Sequence, residues 1–376
     1  MRFAHISDLH LGKRLSGYSL YEDQREILSQ IVELSAANNC DALLISGDIY
    51  DKSSPSSEAV GLFDEFLTKL SSTDMKIFII SGNHDSPERV GYGSRIMENK
   101  GIYIASVFDG EIKKVTVEDG FGEIDVYLCP FVKPSGVRSF YPEEKIDNYT
   151  DMMKVLIEQS VTDKSRRSVM LCHQFITGAS VCESESVAVG TLDNIDAGVF
   201  ESFDYVALGH IHSPQNITSK VRYCGTPLKY SVSEAGQTKS LTIAEIKQKG
   251  VTELTTVAFS PIRDLREIRG TYEELMSRSN YGTTNTLDYL HVTLTDENDI
   301  PNALQKLRTV YQNLIQLDYD NLRTRTISKV SAARGTDNRS PLELFSNLYK
   351  EQNGADMTLQ QQEYVSSMIE KIWGDE

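Results

Sequence analysis

The chain has 376 residues, of which 40% are hydrophobic and 24% are charged, and it carries a formal net charge of −16. This balance is typical of a globular protein and excludes disordered and fibrous classes, while the length predicts two domains or one large domain with an appendage. The scattered cysteines form no C-x-x-C pair, and the sequence has neither a long apolar run nor a signal-peptide pattern, so we expect a cytoplasmic protein without a membrane span, a disulfide framework or a thiolate zinc site.

Residues 1–262 alternate short β-branched runs with helical patterns, which predicts a layered α/β fold. Helix starts are indicated by Ser19-Leu20-Tyr21-Glu22, Ser54-Pro55 and Ser86-Pro87, because each places a capping residue before a helical pattern. The predicted strands cover residues 3–7, 42–46, 76–81, 126–129, 168–172 and 205–208, and a β-rich stretch covers 221–259.

Two further units are predicted after residue 262. Residues 263–339 read as a small α+β domain with strands at 265–268 and 287–294, a helix at 302–317 and a linker at 332–339. Residues 340–376 form a helical tail: Ser340-Pro341-Leu342-Glu343 begins one helix, and a second runs from Thr358 with Trp373 on its apolar side.

Polar clusters follow five of the predicted strands. They are Asp8-Leu9-His10, Gly47-Asp48-Ile49-Tyr50-Asp51, Gly82-Asn83-His84-Asp85, Cys172-His173-Gln174 and Gly209-His210-Ile211-His212. In an open α/β sheet the loops after the strands converge on one edge, so these residues are expected to meet there. One such cluster alone is more often a turn or a hydrogen-bonded histidine, but five in order favour a metal site. We interpret His5 and His291 as structural.

The ordered set resembles the calcineurin-like metallophosphoesterase superfamily, whose pattern is D-x-H, GD, GNH, H and GHxH. The resemblance implies a β-sandwich flanked by helices and a site for two metal ions. It assigns one ion to Asp8, His10, Asp48 and His212, and the other to Asp48, Asn83, His173 and His210. Oxygen and imidazole ligands without thiolate suit Mn²⁺, with Mg²⁺ as the other candidate, and Asp48 would be shared by both ions.

The resemblance gives His84 a different role, because the histidine of GNH points toward the substrate phosphate in this superfamily. His84 is therefore the expected general acid, which protonates the leaving alkoxide. Asp85 is the second candidate catalytic residue, and it is expected either to orient His84 or to cap the helix that begins at Ser86.

Residues within and beside the motifs narrow the resemblance to one family of the superfamily. Asp51 is followed by Lys52-Ser53 instead of the Arg-Gly of Ser/Thr phosphatases, and it stands where purple acid phosphatases have a metal-binding tyrosine. Segments that resemble the SbcD nuclease family are 3–12, 47–51, 203–212, Gly225-Thr226-Pro227-Leu228, 261–266 and Pro341-Leu342-Glu343-Leu344-Phe345. The resemblance thus spans essentially the whole chain. Archaeal relatives carry histidine at the position of Asp51, so a second catalytic imidazole is not implied here.

This family resemblance implies Mn²⁺-dependent hydrolysis of DNA phosphodiesters in repair, recombination and replication. Cleavage would be exonucleolytic on duplex ends and endonucleolytic on single strands and hairpins. It also implies a homodimer within a heterotetramer that contains an SbcC-type coiled-coil ATPase, on which the tail helices would dock. The chain itself is not expected to bind ATP through a P-loop, because Gly12-Lys13 is followed by Arg14.

The acidic charge is unevenly distributed. Residues 1–262 carry 25 basic and 36 acidic residues, residues 263–339 carry 11 of each, and residues 340–376 carry 2 and 7. The candidate phosphate contacts in the neutral segment are Arg263, Arg266, Arg269, Arg323, Arg325 and Lys329. A solvated charged face is the alternative for each of them. Two other functions stay open: a phosphodiesterase or phosphatase for small molecules, and a non-catalytic scaffold, although scaffolds lose ligands and none is lost here.

Overall fold

The computed structural model describes residues 1–161, 163–182 and 194–322, and in addition residues 324, 342, 345–346, 348–350 and 356–373. The predicted linker at 332–339, the helix start at Ser340-Pro341, and Arg323, Arg325 and Lys329 lie outside the described residues. The chain divides into two compact units, Met1–Thr293 with Pro301–Asp318, and Leu294–Ile300 with Tyr319–Glu376. The domain boundaries after residues 262 and 339 stay predictions.

Two six-stranded sheets form the centre of the first unit in the described part of the chain. The strands are β1 (Arg2–Ile6), β2 (Arg14–Leu15), β3 (Tyr18–Ser19), β4 (Ala42–Ser46), β5 (Lys76–Ile80), β6 (Ile102–Ala105), β7 (Lys113–Asp119), β8 (Gly122–Cys129), β9 (Arg167–His173), β10 (Tyr205–Gly209), β11 (Gln215–Asn216), β12 (Val221–Tyr223), β13 (Ser240–Ile246), β14 (Thr252–Ala258), β15 (Leu265–Gly270), β16 (Tyr289–Leu294) and β17 (Leu314–Tyr319). The sheet orders are β14-β13-β1-β4-β5-β6 and β11-β12-β10-β9-β8-β7. Strands β1, β4, β5 and β6 run parallel, as do β8, β9, β10 and β12.

Helices pack against both sheets of the first unit. The helices of the described residues are α1 (Tyr21–Ala37), α2 (Ser57–Ser71), α3 (Pro87–Val90), α4 (Ser94–Met97), α5 (Pro134–Arg138), α6 (Tyr149–Ser160), α7 (Tyr272–Leu275), α8 (Arg278–Tyr281), α9 (Ala303–Leu307) and α10 (Leu359–Trp373). None of those in the described part of the chain is long and apolar enough to cross a membrane.

Three buried clusters hold these layers together. Ile31 of α1 and Phe66 of α2 pack on the first sheet, and Leu156 of α6 packs on the second. Between the sheets, Phe78 of β5 belongs to the same cluster as Leu171 of β9. A sheet covered on both faces buries every position of its central strands, and all five residues of β4 are buried. Four of them are apolar, and the hydroxyl of the fifth, Ser46, donates to Ala207 O (2.9 Å). The predicted α/β sandwich flanked by helices is confirmed.

Some predicted elements were placed wrongly. The helix predicted at 302–317 ends early: α9 stops at Leu307, and β17 forms a three-stranded sheet with β15 and β16. Leu314 and Leu317 have helical spacing, but the exposed residues of β17 alternate along it, which is the strand period. Helix α2 is capped by Ser56, whose hydroxyl accepts a bond from Ala59 N (3.2 Å), and not by the predicted Ser54.

Two arginines of the segment after residue 262 bind buried carboxylates. Arg263 donates two hydrogen bonds to Asp23 of α1 (3.0 and 2.6 Å), and the hydroxyl of Tyr289 donates a third (2.9 Å). Arg266 donates to Asp288 (2.6 Å). The guanidinium groups of Arg263 and Arg266 are thus both bound to carboxylates of the chain. The structure therefore favours a structural role for these two arginines over the phosphate contact considered from the sequence.

We predict that Arg263→Ala lowers the free energy of unfolding by about 2–3 kcal/mol, because the buried carboxylate of Asp23 would lose its cation and keep only the Tyr289 hydroxyl as a side-chain donor. Urea unfolding at pH 7 measures this change. Arg278→Ala, at an exposed position of α8, is the control and should stay within about 0.5 kcal/mol. A loss equally small for Arg263→Ala would contradict the structural role.

Candidate metal centre

The five polar clusters meet where β1, β4, β5, β9 and β10 end. Backbone bonds fix the first two loops to each other, since Asp8 N donates to Gly47 O and His10 N donates to Asp48 O (both 3.0 Å). The Asp8 carboxylate accepts a bond from His210 N at 3.1 Å, which ties the loop after β10 to the loop after β1. The site is therefore built at the junction of the two sheets, as the parallel strand ends require.

One group of candidate ligands contains Asp8, His10 and His212. Ligand atoms of these three buried residues all lie within 4.8 Å of one another. The Nε2 atoms of His10 and His212 are 3.2 Å apart. Two imidazole nitrogens that face each other at this distance can both direct lone pairs at a single cation.

A second group surrounds His173 and Asn83. Asn83 Oδ1 lies 3.0 Å from His173 Nε2 and 3.0 Å from His210 Nδ1. Asp48 stands between the two groups, because its Oδ2 is 3.4 Å from His173 Nε2 and 3.8 Å from His10 Nε2. All seven candidate ligands are thus brought together, although they come from five loops that are far apart in the sequence.

Several ionisable side chains of the site are buried close together, and their pKa values are shifted as a result. Burial raises the pKa of Asp8 to about 6 and, with the charge of Asp48 nearby, does the same for Asp85. Burial alone would lower the pKa of His173, but the attraction of Asp48 outweighs it and raises that pKa to about 9. The protonated His173 ring therefore balances the negative charge of Asp48. A cation bound between these two side chains would take over this role from the proton.

The ligand loops are held in an unfavourable backbone conformation. Asp8, His10, Asp48 and His210 have φ angles of 53°, 43°, 51° and 99°. Left-handed conformations of non-glycine residues cost about 1–3 kcal/mol each and persist where the surrounding structure enforces them. They are concentrated at this site because the loops must turn their side chains inward directly after a strand.

Two motif glycines allow the loops to approach each other. A Cβ atom on Gly82 would lie 2.1 Å from Asp48 Oδ1, and one on Gly209 would lie 1.9 Å from Ser46 O. Ser46 O also accepts the Nδ1–H of His173 at 2.8 Å. A side chain at Gly209 would thus displace the carbonyl that orients His173.

The two candidate catalytic residues have different positions. His84 is half-buried, its backbone N donates to Asp48 Oδ1 (2.9 Å), and its Nδ1 donates to Asp51 O (3.1 Å). The buried Asp85 carboxylate accepts bonds from the backbone N of Ile49 (3.1 Å), Tyr50 (3.0 Å) and Gly82 (2.9 Å).

The expectation that Asp85 orients the His84 ring or caps α3 is corrected by these contacts. Its carboxylate is occupied by three donors from the loops after β4 and β5, so it joins those two loops to each other. Ser86 takes the cap position before Pro87, as predicted.

Several residues that support the site carry no motif. Gln24 of α1 donates to His10 O (2.8 Å), and Tyr230 Oη donates to Leu9 O (2.5 Å). The fully buried Glu234 approaches His212 Nδ1 at 3.7 Å and pairs with Lys239. They come from elements distant in sequence, and no local pattern distinguishes them from other polar residues.

The donor set fits divalent cations. Two buried carboxylates, an amide oxygen and four imidazoles, without a thiolate among the candidate ligands, are chemically suited to first-row divalent metals. The pKa of His210 is lowered to about 3, first by burial and then by the charge of His173, so its ring is neutral and able to ligate at neutral pH.

Comparison with known proteins shows which family the chain resembles. Residues 1–214 match the calcineurin-like phosphoesterase family, and residues 261–353 match the family described as Type 5 capsule protein repressor C-terminal domain. The chain is 30% identical over 380 residues to the SbcD subunit of the nuclease SbcCD from Staphylococcus epidermidis, and the match covers 99% of each chain. It is 31% identical over 322 residues to the Staphylococcus saprophyticus protein of the same name, and this match covers 84% of each. Among solved structures, a dimetal phosphatase from Danio rerio is 12% identical with a TM-score of 0.38, covering 69% of this chain and 99% of that one.

The fold and the site define a calcineurin-like phosphoesterase, a metal-dependent enzyme that hydrolyses phosphodiesters. The full-length similarity narrows this class: the chain belongs to the SbcD nuclease family, as its motifs predicted.

We predict that Mn²⁺ binding at pH 7 releases about one proton per chain, because a cation at His173 must replace the proton that its raised pKa retains. Affinity should fall as the pH is lowered, and more steeply below pH 6, where Asp8 is also protonated. Titration calorimetry in two buffers of different ionisation enthalpy measures the release. Heats that do not depend on the buffer would contradict the charge state of His173.

Proposed function

We propose that the chain cleaves DNA as the nuclease subunit of an SbcCD-type complex, with two Mn²⁺ ions. One ion would bind Asp8, His10, Asp48 and His212, and the other Asp48, Asn83, His173 and His210. The proposal rests on the position of Asp48, whose Oδ2 approaches His173 (3.4 Å) and His10 (3.8 Å). A carboxylate shared by cations roughly 3.5–4 Å apart relieves their repulsion.

The chemistry divides between the ions and the chain. The bound ions supply Lewis-acid activation of the phosphodiester and of water at neutral pH. We assign His84 as the general acid. Because a carbonyl oxygen can only accept a hydrogen bond, Asp51 O fixes the His84 Nδ1 as a donor. When the ring is protonated, its second proton is on Nε2 and can be delivered to the leaving oxygen. Asp85 contributes by holding the loops of Asp48 and His84 together.

The substrate and the partner follow from the family. The two relatives are named as one subunit of the nuclease SbcCD, and such a name implies that a second subunit exists. For this chain we propose exonucleolytic cutting of duplex ends and endonucleolytic cutting of single strands and hairpins, in DNA repair, recombination and replication, together with an SbcC-type coiled-coil ATPase.

Exposed apolar residues offer two contact surfaces for the assembly. In the second unit, Phe345, Leu348 and Tyr364 are exposed, which supports docking of the tail on the ATPase. The side chain of Trp373 lies outside the described residues. In the first unit, Tyr92 and Ile96 are 84% and 76% exposed. Large apolar side chains on the surface often mark contacts between subunits, which supports the surface around these two residues as the homodimer contact.

Asp48→Ala should abolish cleavage, because the two cations would lose their shared counter-charge. The assay is digestion of end-labelled hairpin DNA with Mn²⁺, alongside Mg²⁺ and a set of small nucleotide phosphoesters. Calorimetry should show fewer than two ions per chain. Normal turnover with two bound ions would remove the bridging role, and wild-type activity confined to the small esters would favour a small-molecule phosphodiesterase.

His84→Gln should reduce cleavage by about a hundredfold or more while both ions and DNA affinity are retained, because glutamine keeps a hydrogen-bond donor but cannot deliver a proton at neutral pH. Single-turnover cleavage and Mn²⁺ titration measure the two effects separately. If metal occupancy falls instead, His84 is a ligand and the acid must be sought elsewhere.

Deletion of residues 340–376 should leave Mn²⁺ binding and basal cleavage of single-stranded DNA intact, since the proposed ligands all precede residue 213. Copurification with the coiled-coil ATPase and ATP-stimulated cutting of duplex ends should be lost. Phe345→Ala with Trp373→Ala should weaken the association in the same direction. A truncated chain that retains the ATPase at full strength would place the docking site outside the tail.

A further inference from the structure

Two lysine–carboxylate pairs flank the histidines of one proposed ion. On one side, Lys13 Nζ donates to Asp51 Oδ1 (2.9 Å), and the same oxygen is 3.9 Å from His10 Nδ1. On the other side, Lys239 Nζ donates to Glu234 Oε2 (2.6 Å), and Glu234 Oε1 is 3.7 Å from His212 Nδ1. The Nε2 atoms of these two histidines face each other at 3.2 Å.

We propose that Asp51 and Glu234 are positioning residues, which accept the Nδ1–H bonds of His10 and His212 and thereby set the affinity for the ion between these rings. The inference rests on the proposed two-ion site and assigns a role to Asp51, which the family motifs leave open. It concerns metal affinity and needs no assumption about the substrate.

The state of His10 supports this assignment. The ring is 1% exposed, and its Nδ1 has no hydrogen-bond partner among the described residues. An imidazole that ligates through Nε2 carries its proton on Nδ1, and a buried N–H without an acceptor costs about 1–3 kcal/mol. Asp51 Oδ1 is near but beyond hydrogen-bond length, so a small rotation on cation binding would complete the bond.

The lysines keep each carboxylate in place. Lys13 binds the same Asp51 oxygen that faces His10, whereas Lys239 binds the Glu234 oxygen that faces away from His212. In both pairs the ammonium limits the rotation of the carboxylate. Lys13 also lies 5.6 Å from the centroid of the Tyr230 ring, which fixes the direction of its side chain. Carboxylates that accept from metal-bound histidines raise ligand basicity, and their loss typically costs 10–100-fold in metal affinity.

The other proposed ion lacks this arrangement on His173, whose Nδ1 donates to the backbone carbonyl of Ser46 (2.8 Å). A neutral carbonyl orients the ring but adds no charge. The two ions should therefore differ in affinity, with the tighter one at His10 and His212, and changes at Asp51 should affect that ion selectively.

Asp51 is the better residue to change. Its side chain is 18% exposed and that of Lys13 is 19% exposed, whereas Glu234 is fully buried. Replacing Glu234 would leave the buried Lys239 without its anion, and the chain could fail to fold. Asp51→Ala removes the acceptor, and Asp51→Asn keeps an acceptor oxygen while removing the charge.

The experiment is Mn²⁺ titration calorimetry on the full chain. Asp51→Ala should weaken one of two ions by 10–100-fold and leave the other within about twofold, with unchanged melting of the metal-free protein. Asp51→Asn should weaken the affinity for that ion less than Asp51→Ala does. The control Glu65→Gln, which removes a surface ion pair of α2, should bind both ions with wild-type affinity. Cleavage by Asp51→Ala should recover at saturating Mn²⁺.

A double variant separates orientation from charge. Lys13→Met with Asp51→Ala restores the local net charge but not the acceptor, so the weakened affinity should persist. Recovery of wild-type affinity in this double variant would overturn the positioning role, as would equal weakening of both ions or no weakening in Asp51→Ala. If the wild type binds two ions but does not cut DNA, the proposed function fails while the comparison of affinities still stands.

Discussion

The burial of three aspartates at one sheet edge is the constraint on which the rest of the structure depends. Asp8, Asp48 and Asp85 are each at most 6% exposed, and like charges in so little solvent are unstable unless donors and cations surround them. The fold provides backbone N–H donors to all three and imidazoles beside Asp48. The charge that stays unbalanced is what makes the site suited to divalent cations.

The same constraint explains the shape of the loops. Ligands from two sheets can converge only if the chain turns sharply after each strand, and the positive φ angles of Asp8 and Asp48 are the result. Glycines at 82 and 209 then remove the side chains that would collide with Asp48 and with the carbonyl of Ser46. The stability of the buried sheets offsets this strain, because strands such as β4 and β9 are buried along their whole length.

Two basic residues of the segment after residue 262 serve the structure of the fold. Arg263 and Arg266 hold buried carboxylates, so a basic residue there is not by itself a sign of DNA contact. The chain as a whole is acidic, with a net charge of −16. Under the proposed function, the bound cations would offset part of its repulsion from DNA.

The sequence by itself determined the fold class, the family and the set of candidate ligands, because strand periodicity and the order of five motifs are local properties of the chain. It also located the strands that carry the site, β1, β4, β5, β9 and β10, to within a few residues. It did not predict β2, β3, β6, β7 and β11, and it took β17 for helix because its two leucines have helical spacing. Only the tertiary structure decided what Asp85, Arg263, Asp51 and Glu234 do. Their roles depend on which groups face them across the fold: the N–H groups of two loops for Asp85, a carboxylate of α1 for Arg263, and the rings of His10 and His212 for the last two. Such contacts join residues that are often more than 20 positions apart, and a polar residue looks the same in sequence whether its partner is water, an ion or a buried charge.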